Sequence, residues 1–198
     1  MQMLYGYHQA PKTIDILRQE LQTTTIGTYA PQLGLHLLQN GFKVSIINHN
    51  PKLVTVEDRD KSSKELIEQF AKRLQTADLT ENDKMIMRMF IDFLQKGGNL
   101  VVKIPSAEDI SREITHKRPL IALLQNGAWY TRSADRPFSD IFHMVVVTGL
   151  DDKFIYFNDP HAQHGGSSKS THTEFFYALY SSALADPDNA SLITVEKT

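Results

Sequence analysis

The stretch from Phe142 to Pro160, FHMVVVTGLDDKFIYFNDP, constrains the fold more than any other. Two runs rich in Val, Ile, Phe and Tyr, His143–Gly149 and Lys153–Asn158, flank a polar Asp151-Asp152 pair. That is the pattern of two β-strands joined by a turn. Such a hairpin puts His143 at the start of its first strand and Asp159 just past the end of its second. These positions are neighbours in an antiparallel pair, so an imidazole and a carboxylate can sit side by side. A base and the carboxylate that orients it are two of the three groups a nucleophilic triad needs. No nucleophile stands out to complete it.

The rest of the composition narrows the function classes. A chain of 198 residues is long enough to bury a core as one domain over 1–198 without metal or disulfide staples. With 21 basic and 23 acidic residues and a net charge of −2, it has no basic stripe for nucleic acid. It contains no cysteine, which excludes a disulfide framework, a thiolate metal site and a Cys nucleophile within these residues. No apolar run approaches the ~20 residues of a membrane helix, and the first residues do not read as a signal peptide. A soluble, cytoplasmic domain without a cofactor is the expectation.

Taken in order, Met1, Met3, Leu4 and Tyr7 make a helix-like pattern without a cap, as though the chain started partway along a helix. Pro11 and Thr13 open a second helix, Ile14 to Leu21, with Ile14, Leu17 and Leu21 on one face. A third runs from about Pro31 to Gln39 and stops at Gly41. A strand comes next at Lys43–Asn48. Residues 52–98 read as an inserted helical hairpin, its apolar Met85, Met87, Met89, Phe90 and Phe93 forming an ordinary core face. Strands at Leu100–Ile104 and Pro119–Leu124 bracket a helix from Ser106 to Thr115. Asn126-Gly127 is a turn signal, with Trp129 and Tyr130 in the loop beyond. After the hairpin come a Gly/Ser/His-rich loop from His161 to Ser170 and a Thr171/Glu174 capping box opening a helix. Asp186-Pro187-Asp188 reads as a turn before a last strand at Ser191–Val195. Helices dominate the first half and strands the second, an α+β arrangement with a helical N-terminal half packed on a C-terminal antiparallel sheet.

Three segments taken together are familiar: Ile114 to Leu123 with its Arg118-Pro119, His143 to Gly149, and Phe157-Asn158-Asp159-Pro160. In this order they resemble the papain-like double-glycine leader peptidases and their relatives, peptidase family C-thirty-nine. Phe175 to Leu179 resembles that family's closing helix, and Tyr7-His8 through Thr28 resembles the segment just beyond its nucleophile helix. The resemblance implies a papain-like fold and assigns His143 and Asp159 to the base and orienting positions of a Cys-His-Asp triad. It also implies a peptide or protein substrate. The family's cysteine, and the glutamine of its oxyanion hole, have no counterpart in this chain.

Two functional expectations arise. In one, the sequence is a truncated form of a peptidase whose nucleophile precedes Met1. In the other, it is a non-catalytic pseudo-peptidase that binds peptides or a protein partner in the old cleft. Blander alternatives stand beside them. His143 reads equally as a strand-end histidine, and Asp159 as a turn carboxylate. Asp159, His161, His164 and His172 satisfy the ligand types of zinc, though a Gly-rich surface loop explains them without metal. Gly165-Gly166 near a helix start has the makings of an anion site or a plain hinge. His8, His36, His49 and His116 read as surface or boundary residues.

Overall fold

The computed structural model describes residues 1–21, 27–76, 78–125, 142–160, 165–183 and 185–197. Its helices are α1 (Gln2–Tyr7), α2 (Ile14–Leu21), α3 (Ala30–Gln39), α4 (Ser63–Thr76), α5 (Glu81–Gln95), α6 (Ala107–Thr115) and α7 (His172–Ser181). The strands are β1 (Phe42–Asn48), β2 (Asn99–Val102), β3 (Leu120–Gln125), β4 (Phe142–Leu150), β5 (Phe154–Asp159), β6 (Gly166–Thr171) and β7 (Leu192–Lys197). One seven-stranded sheet takes them in the order β2-β1-β7-β3-β4-β5-β6. The fold is thus α+β, and β1 from the first half and β2 from mid-chain join the sheet as its parallel pair, while the other described pairings are antiparallel.

Successive strand residues point to opposite faces, and here both faces are apolar. Ile46, Ile121, Val146 and Ile193 fall in one buried cluster with Leu4, Leu17, Leu33, Phe70, Phe90 and Phe93 from α1 to α5. Their neighbours Ile47, Ala122, Val147 and Leu192 fall in a second cluster with Ile110 of α6 and Phe175 and Leu179 of α7. The result is three layers, with helices α1–α5 on one face of the sheet and α6 and α7 on the other. Met87, Phe90 and Phe93 of α5 are buried in the first cluster, so the helical pair between residues 52 and 98 contributes to the same core as α3 and β1.

Local chemistry sets the helix ends. The Thr80 hydroxyl accepts from the Asp83 N–H (3.1 Å) at the start of α5, and Thr171 does the same for Glu174 (3.3 Å) at α7. Gly41, at φ +81°, and Gly97, at φ +90°, supply the left-handed residues after α3 and α5.

Several expectations need correction. Residues 166–171 form the edge strand β6, not a loop: although Gly, Ser and Lys have little strand preference, their backbone pairs with β5 from Phe154↔Thr171 to Asp159↔Gly166. Most of their side chains lie in solvent, where packing does not penalise them. Gly166 therefore opens a strand, and α7 starts six residues later, which removes the glycine pair from any helix N-terminus. Ile14 is half exposed while Leu17 and Leu21 are buried. His36 is a core residue, its Nε2 2.9 Å from the hydroxyl of buried Tyr5, which ties α1 to α3. Asn126-Gly127, Trp129, Tyr130, His161 and His164 lie outside the described residues.

Candidate functional site

His143 and Asp159 are brought together by strand pairing. The ladder between β4 and β5 pairs Val146 with Asn158 and Val147 with Phe157, but Gly149 with Tyr156. Thr148 is thus an extra residue, a β-bulge. Continued to the strand ends, the first register sets Asp159 opposite Val145, on the face shared by His143, Val145 and Val147. His143 and Asp159 are then diagonal neighbours, which long side chains bridge. The alternation makes the bulge decisive. If the Gly149 register ran unbroken, Asp159 would stand opposite Val146 and point away from His143.

The contact itself is short. His143 Nε2 lies 2.5 Å from Asp159 Oδ1, with the histidine side chain 20% exposed and the carboxylate 4%. A ring whose Nε2–H donates to a carboxylate carries its lone pair on Nδ1 in the neutral form. The carboxylate therefore fixes both the ring orientation and the tautomer, and it stabilises an imidazolium when one forms.

Of this pair, His143 lines a cavity of about 570 Å³. Its walls are largely aliphatic, with Leu21, Leu33, Ile121 and Leu123 among them, and Phe142, His143 and Pro160 complete the lining at the strand ends. Met1 and Met3, at the start of α1, line it too. Helix α1 is held there by the buried Leu4 and by the Tyr5–His36 hydrogen bond. A different wall is polar: Tyr29, Asp186, Asp188 and Asn189. Asp188 Oδ2 accepts the Ala30 N–H (2.7 Å) at the first turn of α3. Burial, with the Asp186 charge adding to it, pushes the Asp188 carboxyl up to about 7. Burial and the Asp83 charge raise Asp186 as well.

Sequence reasoning paired His143 with Asp159 but missed this wall. Its only signal was the Asp-Pro-Asp triplet, which reads as an ordinary turn, and only the tertiary fold carries that turn to α3. For metal, no group of three or more His, Cys, Asp or Glu side chains suited to an ion occurs among the described residues. His172 instead has its Nε2 2.8 Å from the Asp151 carbonyl. No helix among them is long and apolar enough to cross a membrane.

A histidine and an aspartate in contact within an α+β domain are a pattern that many unrelated families share. A family model narrows this: that of the Peptidase_C39 like family matches residues 84–183, just over half of the chain, and the protein belongs to that family. The matched segment begins inside α5 and contains both His143 and Asp159. Among solved structures, the chain is similar to the peptidase domain of Streptococcus ComA, a bi-functional ABC transporter involved in a quorum-sensing pathway. The two share 12% identity at a TM-score of 0.47, over 100% of this chain and 87% of that one. A putative C39-like peptidase from Bacillus anthracis is similar over 47% of this chain and 48% of its own, with 17% identity and a TM-score of 0.34. No curated protein matches the chain.

Proposed function

We propose that the protein is a peptidase-like domain that receives a peptide in the cavity beside His143, and that with these residues alone it does not cleave by a thiolate route. The observation that carries this reading is His143, paired with Asp159, in the lining of a cavity of about 570 Å³, in a chain without cysteine. A cavity of that size takes one or more side chains of a bound peptide. The imidazole can accept a proton at Nδ1 or donate to a peptide carbonyl, while Asp159 holds the ring in place. The test is peptide binding followed by fluorescence anisotropy. A cavity-filling Met144→Trp variant should abolish binding, and mass spectrometry should find the bound peptide intact. Binding unaffected by Met144→Trp would place the site elsewhere, and cleavage by the cysteine-free protein would defeat the non-cleaving part.

A second reading is favoured by one observation, the presence of Met1 and Met3 in the cavity lining. The start of α1 is where a nucleophile would meet His143. In this reading, hydrolysis requires a thiol at that end of the helix, which His143 deprotonates and Asp159 supports. A Met3→Cys variant should then be alkylated by iodoacetamide faster than the same variant carrying His143→Ala. Equal rates would defeat it.

A further inference from the structure

The polar wall of the cavity is held by a chain of hydrogen bonds. The Tyr29 hydroxyl donates to Asn82 Oδ1 (2.9 Å), and Asn82 Nδ2 donates to Asp186 Oδ1 (2.6 Å). Ala30 N–H fixes Asp188 from the other side. Two polar atoms in this wall nevertheless have no hydrogen-bond partner among the described residues: Asp188 Oδ1 and Asn189 Nδ2, each on a residue only 2% exposed. A buried acceptor left unmet costs stability, and a ligand that donates to Asp188 Oδ1 recovers it. The charge balance says which ligand. Asp83, Asp186 and Asp188 interact here, while the cation acting on them, Lys52, is bound to Asp83. The remaining lining, Leu21, Leu33, Ile121 and Leu123, suits methylene groups.

Building on the peptide-binding reading, we propose that this wall is the subsite for a basic side chain of the bound peptide. The aliphatic stem of a lysine- or arginine-type residue lies along the apolar lining, and its N–H groups are received by half-buried Asp186 and, further in, by Asp188. The same stem without a charge fills the space but leaves the carboxylates unanswered. A glutamate is repelled by them. Discrimination then comes from polar groups that the wrong ligand leaves unpaired, which is where binding sites discriminate most strongly.

The experiment compares N-acetylated peptides that differ at one residue, carrying lysine, arginine, norleucine or glutamate, by fluorescence anisotropy. A matched norleucine peptide with a free amino terminus separates a side-chain cation from a terminal one. At pH 8 the lysine and arginine peptides should bind about tenfold or more tightly than norleucine. That preference should vanish in Asp188→Asn and Asp186→Asn, whose folding is checked by their melting temperatures. The lysine preference should also grow from pH 6 to pH 8, as Asp188 ionises. Asp186 and Tyr29 face that group, Asp83 and Lys52 act on Asp186, and His143 and Met1 share the cavity. The pH trend must therefore be lost in Asp188→Asn to be credited to Asp188. Norleucine binding as well as lysine overturns the subsite and leaves peptide binding standing. A lysine preference that survives in both variants also overturns it. Peptides that fail to bind at all remove the peptide-binding reading and the subsite with it.

Discussion

Asp188 shows how one residue trades stability against pH. Its folded carboxyl titrates at about 7 instead of 3.8, because burial disfavours the charge. Between those values the folded chain keeps a proton that the unfolded chain releases, so stability falls as pH rises, and the loss is complete above about 7. Asp188→Asn keeps an acceptor for the Ala30 N–H and removes the ionisation. The variant should gain about 1–3 kcal/mol over the parent at pH 8 and little at pH 4, read from urea unfolding at each pH. No gain at pH 8 would mean that the carboxylate is satisfied in solution. His143→Ala should act in the opposite sense, since Asp159 loses its imidazole partner at 4% side-chain exposure, at a cost of about 1–3 kcal/mol at neutral pH. That the strand ends carrying His143 and Asp159 meet was legible from the period-two pattern and the short turn, whereas the shared face of the two side chains depends on the Thr148 bulge. The Asp188 wall was not, because it joins positions 158 residues apart through one hydrogen bond to α3.

At the scale of elements, most strands and helices follow from alternation, caps and glycine stops, and the exceptions have identifiable causes. Strand β6 was hidden because backbone pairing, not side-chain preference, makes it a strand. The bulge at Thr148 was hidden because nothing in VVVTGL marks which residue will be left over. Its removal is a sharp test. Deleting Thr148 joins the Gly149–Tyr156 and Val147–Phe157 pairs into an unbroken ladder and leaves Asp159 on the face of His143, so the imidazole should keep its carboxylate partner. Imidazole NMR shifts close to those of the parent would be the expected signature, and shifts matching those of an Asp159→Asn variant would sink the argument. Phe93 of α5 offers a second test. Its ring sits against both Gly34 of α3 and Gly98, with no room for a Cβ at either. Gly98→Ala should cost about 1–3 kcal/mol by forcing the ring out of place, measured by chemical denaturation.

At the scale of the molecule, neither core belongs to a separate body. Ile46 and Ile47, Ile121 and Ala122, and Val146 and Val147 are adjacent residues that serve opposite clusters, so each strand stitches the layers together. Calorimetry should therefore record a single heat-absorption peak for both layers, and two resolved peaks would show that they melt apart. The sheet's outer margins have a further consequence. One rim is the four-residue β2 and the other is β6, written in Gly, Ser, Lys and Thr. Neither offers a long greasy ribbon for another copy to latch onto, so the protein carries its own brake against fibril growth.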